Sequence, residues 1–167
     1  NKATIMRSPR PATRTSLPAL AIALAVTACG RQEVGDVSLG MFTTKDIKLV
    51  SFEDAIVTGV TCHVSHIEAD LNLADPSDMA IACHQTGPIT RAMIDQVAAG
   101  KSGATVFTQS KSVLFKSLKI RRIYDAKSQT LIYVAYSTKE SSGSHKHAIS
   151  TVPLWNTPAW QPPAGGD

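Results

Sequence analysis

No Asp or Glu precedes Cys29, whereas four bases do: Lys2, Arg7, Arg10 and Arg14. The formal net charge of +4 therefore belongs to that first segment, because from Cys29 onward 13 Lys and Arg face 13 Asp and Glu. A neutral chain lacks the attraction for phosphate on which nucleic-acid binding runs, so nucleic acid is not expected as a partner. There is no Gly-x-Ser-x-Gly elbow and no His-Glu-x-x-His pair, so neither an activated serine nor a zinc protease is supported. Phosphate-cradling glycine loops and internal repeats are absent too. No cofactor is expected, and an enzyme here would be of an unrecognised type working in the periplasm.

What is present begins with an address. Met6 reads as the start of a signal peptide over residues 1–28, with Arg7, Arg10 and Arg14 as its basic region. Leu17 to Ala28 supplies an apolar body too short to span a bilayer. No arginine pair occurs there, which favours the general export route over the twin-arginine one. Val26-Thr27-Ala28-Cys29-Gly30 resembles a lipobox, in which small residues let a peptidase read the backbone and the Cys29 thiol receives a lipid. The competing expectation is plain cleavage after Ala25 or Ala28, leaving a soluble protein. With acylation, Cys29 anchors the chain to a membrane, each buried methylene contributing roughly 0.8 kcal/mol. Gly30 rather than Asp after the cysteine points to the outer membrane of a Gram-negative envelope, on its periplasmic side.

Removing Cys29 from the 3 cysteines leaves one pair, Cys62 and Cys83. An even pair in an exported chain reads as a disulfide. Alternation agrees: Val60, Cys62 and Val64 share one face of a strand, and Met79, Ile81 and Cys83 share one face of another.

The rest of the chain reads as one antiparallel, mainly β domain (α+β) with one or two short helices. Strands are expected over 34–39, 46–54, 59–65, 79–84, 104–109, 112–125, 130–137 and 148–154. Met93, Ile94 and Val97 mark a helix over 90–99 that Gly100 stops. Asp75-Pro76-Ser77-Asp78 and Asp125 to Gln129 read as turns, and Ser141 to Ser144 as a loop. Thr130 to Tyr136 is apolar on both faces, which marks an inner strand. Residues 29–33 are expected as a linker to the lipid anchor, and the proline-rich stretch 156–167 as a disordered tail.

Six blocks in order carry a resemblance: Gly59-Val60-Thr61-Cys62; Asp75 through Cys83 to Ile89; Leu114 to Leu118; Arg122 to Asp125; Ala135-Tyr136-Ser137; and Ile149 to Leu154. Together, over about residues 34–155, they resemble the CreA family of bacterial envelope proteins. The resemblance implies an exported, disulfide-bearing domain and no stated molecular activity. This chain departs from the family's usual pattern in placing His145 and His147 where a Pro and an Asn are common, in following Cys62 and Cys83 with His, and in carrying a lipobox.

Charge is unevenly distributed. Residues 33–78 hold nine acids against Lys45 and Lys48, and residues 111–127 hold six bases (Lys111, Lys116, Lys119, Arg121, Arg122, Lys127) against Asp125. The plain reading is two solvated faces that attract each other; the functional one is a basic strand pair offered to an acidic protein, a small anion or a lipid head group. Lys119, Arg121, Arg122, Tyr124 and Tyr136 are the candidate contacts. One of Arg121 and Arg122 must face the buried side, where it needs a carboxylate from 33–78. His63, His66, His84, His145 and His147 with the cysteines suggest a metal site, but alternation sends His63 and His84 away from Cys62 and Cys83, and an oxidised cysteine cannot ligate. No metal is expected. The reading is an exported binding or interaction domain, with a purely structural envelope protein as a further option.

Overall fold

Among the described residues eight strands form two sheets, each a simple meander. The first holds β1 (Arg31–Ser38), β2 (Lys45–Glu53), β3 (Val60–Ala69) and β4 (Met79–Gln85); the second holds β5 (Ala104–Lys111), β6 (Lys116–Asp125), β7 (Thr130–Thr138) and β8 (His147–Pro153). Every pairing is antiparallel. The computed structural model describes residues 31–40, 45–69, 79–97, 100–111, 116–138 and 146–162. Residues 1–28, read above as a signal peptide, Cys29, residues 75–78 and 141–144, read as a turn and a loop, His145 and residues 163–167 lie outside it.

Period-two patterning sets which face is buried. Val50 and Phe52 from β2, and Val60, Cys62 and Val64 from β3, point inward; Leu118 and Ile120 from β6, with Leu131, Tyr133 and Ala135 from β7, meet them from the other sheet. Phe52 stacks on Phe107 of β5 with ring centroids 4.7 Å apart. β7 is an inner strand between β6 and β8, as its two apolar faces predict.

The sheets are offset. Phe52 of β2 already lies over β5, the edge of the second sheet, so β1 projects beyond it and all eight of its residues are exposed. On the opposite side β4 runs beside β8, joined through a side chain rather than a strand ladder. The Cys83 N–H donates to the Ser150 hydroxyl (2.8 Å), which in turn lies 3.5 Å from the Cys83 carbonyl.

Cys62 and Cys83 are directly paired across β3 and β4 and are joined by a disulfide. Both are buried, as the alternation predicts.

Local chemistry shapes the connections. In the β2–β3 loop the Asp54 carboxylate accepts the N–H groups of Ile56 (3.0 Å) and Val57 (3.1 Å). A side chain at Gly59 would strike the backbone of Pro88, so the glycine lets the chain after β4 pass close. The helix is shorter than expected: α1 covers Arg91–Asp95, and no side-chain hydrogen bond caps it at Thr90. Ile94 and Val97 are still buried, so packing rather than helix propensity holds the segment.

Two segment expectations are corrected. Residues 31–33, read as linker, already pair with Phe52, Ser51 and Val50 in β1. Residues 156–162, read as disordered, fold back on the core: Leu154 and Ala159 are fully buried, and Trp160 sits edge-on to Trp155 with centroids 4.6 Å apart. Gln129 holds this return through its side chain, accepting the Gln161 N–H (2.8 Å) and donating to the Gln161 carbonyl. Composition misled here because the prolines break regular structure without preventing burial of their neighbours.

Candidate functional site

The basic hairpin is split by the pleat. Lys119 and Arg121 point outward from β6, while Arg122 points inward, since successive strand residues alternate. Arg122 is 1% exposed and pairs with Asp54, which is equally buried. Arg122 Nη1 reaches both Asp54 oxygens, and Tyr133 donates its hydroxyl to Oδ2 at 2.9 Å. Burial, and then the adjacent Asp54 carboxylate, push the Tyr133 phenol well above its ordinary range. This cluster answers the expectation that one arginine would need an acid from 33–78. It also removes Arg122 as a surface contact for an anion. Tyr124 is corrected likewise: it is half-buried and packs against the core.

The Asp54 cluster does not make a reaction centre. The carboxylate is taken up by Arg122, by Tyr133 and by two loop N–H groups, and solvent does not reach it. A catalytic acid must meet its substrate.

The three remaining candidates share the outer face of the second sheet. Lys119 pairs with Tyr136, which pairs with His147. Arg121 lies between Thr105 and Val134, and Val134 pairs with Ile149. Ile123 pairs with Ile132 in the next rung of the same face. Ile149 is 62% exposed, an unusual position for a large aliphatic side chain in a described strand. The face is therefore an aliphatic patch (Ile123, Ile132, Val134, Ile149) bordered by two cations. Arg121 is anchored by a hydrogen bond from Nη2 to the Gly103 carbonyl (3.0 Å). At the hairpin end Asp125 is occupied locally: its oxygens accept the Ser128 hydroxyl (2.7 Å) and the N–H groups of Lys127 and Ser128.

The aliphatic half of this face was missed in the sequence. The signal was there in Thr130 to Tyr136, whose second apolar face faces outward rather than into a second layer.

The histidines separate as alternation predicts. His63 and His84 stand on the face opposite the disulfide and stack with centroids 5.2 Å apart and planes 3° from parallel. His66 is buried on the inner side. Among the described residues no three His, Cys, Asp or Glu side chains converge as a metal site would require, and no helix is long and apolar enough to cross a membrane.

Comparison with known proteins adds the family. The model of the CreA protein family matches residues 34–157. The proteins CreA of Escherichia coli strain K12, of E. coli O6:H1 and of E. coli O157:H7 are each 44% identical over 133 residues, which cover 74% of this chain and 83% of theirs. No solved structure matches. A family model that reaches from within β1 to beyond β8, together with that identity, establishes that the chain belongs to the CreA family.

Proposed function

We propose that this is an exported envelope protein that acts by binding an acidic protein partner, through the outer face of the β5–β8 sheet. Residues 1–28 would carry it across the inner membrane, and acylated Cys29 would hold it on the periplasmic side of the outer membrane. The observation that carries the binding reading is Ile149, 62% exposed, on the same sheet face as Lys119 and Arg121. Exposed aliphatic surface beside cations fits a protein surface better than a small anion, which needs an enclosed site with converging donors. Lys119 and Arg121 would steer an acidic partner to the patch. The disulfide supports the compartment, since such bonds persist in oxidising surroundings.

The test is site-specific photo-crosslinking in intact cells. A photoreactive residue at Ile149 should capture one acidic envelope protein, and Lys119→Glu should remove that adduct while leaving the melting temperature nearly unchanged. The same probe at Ser51, on the outer face of the first sheet, should not capture it. Equal capture from both faces, or an adduct indifferent to Lys119→Glu, refutes the assignment.

A further inference from the structure

We infer that the end of the sandwich built from the β2–β3 loop and the segment after β8 rests directly on the lipid surface, with Ile56 and Trp155 at the headgroup boundary. This inference rests on the proposed acylation of Cys29. Its first support is length. β1 begins at Arg31, so only Gly30 separates the anchor from a paired strand. Two residue steps span at most about 7 Å. Arg31 is opposite Phe52, near the end of β2, so the tether leaves the first sheet at the end where residues 54–59 turn. A domain so tethered has no spacer on which to swing free.

The second support is what that end presents. Asp54, two residues beyond the Phe52–Phe107 stack, meets Arg122, which lies two residues beyond Ile120, the partner of Phe107. Both sheets therefore advance toward this end, where the β6–β7 hairpin holds the returning chain through Gln129 and the Leu154 N–H (2.9 Å). Ile56 in the loop is 38% exposed, and Trp155 on the returning chain is 60% exposed. An indole with one edge on protein and the other in solvent suits the headgroup layer, where tryptophan is enriched.

The chain's 2 tryptophans, Trp155 and Trp160, both lie in this segment, so intrinsic fluorescence reads the contact. Full-length protein is expressed in a Gram-negative host, and the processed product is extracted from the envelope, its N-terminal mass measured. It is then reconstituted in phosphatidylethanolamine and phosphatidylglycerol vesicles with acyl chains brominated near the headgroup. The expected result is an acylated N-terminus at Cys29, co-flotation with the vesicles, and a loss of tryptophan fluorescence relative to unbrominated vesicles. Trp155→Phe should remove most of that loss. An acylated protein that floats without quenching, its tryptophans as open to iodide as in detergent, overturns the orientation and leaves the anchor standing. An unacylated N-terminus overturns both.

Discussion

Asp54, in the loop that follows β2, and Arg122 of the second sheet stand 68 residues apart in the chain and neutralise each other where neither can reach water. The pair fastens the β2–β3 loop of the first sheet to the middle of the second, and Tyr133 completes it. Removing one member strands the other. Arg122→Met should lower the unfolding free energy by about 3–5 kcal/mol, the usual cost of an uncompensated buried charge. Urea denaturation of the wild type and of Arg122→Met, Asp54→Asn and the double variant should show strong coupling; additive effects would contradict a shared interaction.

Tyr133 makes this cluster sensitive to alkali. The folded phenol holds its proton above the unfolded value of 10.0, so its contribution is fully present below about pH 10. That contribution is lost as the pH climbs from there toward the folded value. Tyr133→Phe should reduce stability at neutral pH by about 1.5–3 kcal/mol, the range for a hydrogen bond to a charged group. It should also flatten the decline above pH 10, as followed by circular dichroism. An unchanged alkaline slope would show that other groups govern it.

Asp125 titrates in the opposite sense. The Ser128 hydroxyl, then the N–H groups of Ser128 and Lys127, hold its carboxyl below the usual 3.8. Its contribution is therefore present above that value and is lost as the pH falls through the lowered one. Ser128→Ala should raise the Asp125 titration midpoint in a carboxyl-detected NMR experiment, with little change at neutral pH. A midpoint that does not move would assign the effect to the backbone donors.

The Cys62–Cys83 bond closes a loop whose ends are 21 residues apart. In the chain-entropy account such a bond contributes roughly 3 kcal/mol, a sizeable share of the stability expected of one domain. Cys62→Ala and Cys83→Ala should each lower the urea midpoint, and the double variant should cost little more than either. Two titratable thiols at these positions in denatured, unreduced protein would refute the bond.

How much was legible depended on whether a feature was local. Cys62 and Cys83 could be placed facing inward because alternation is written in five or six consecutive residues. The need of one arginine for a buried acid was legible for the same reason. That the acid was Asp54 was not, because the answer lies in the stacking of two sheets and nothing near Arg122 records it. Tyr124 was misplaced with Arg122: both read as a basic, aromatic surface, and parity sent both inward. The stretch 156–162 failed differently. Its prolines argue against a strand, and only the partners Gln129 and Trp155 reveal a return to the core. Ile149 was placed in a strand, but nothing in its neighbours along the chain records that its side of the sheet stays uncovered.

The seam between β4 and β8 has a consequence for assembly. Each sheet is contiguous in the chain and is built from hairpins, so its ladders close by short-range events and the whole topology needs few distant encounters. What joins the halves is a serine hydroxyl, a buried ion pair, a stacked ring pair and apolar surface, with no continuous ladder. A molecule built this way is divisible. Cut within the 86–103 connection, its two pieces retain every strand pairing they had, and their reunion depends on contacts that each involve a side chain rather than on strand pairing. Fragment complementation should therefore be specific to the pairing of Asp54 with Arg122 and tolerant of the cut itself.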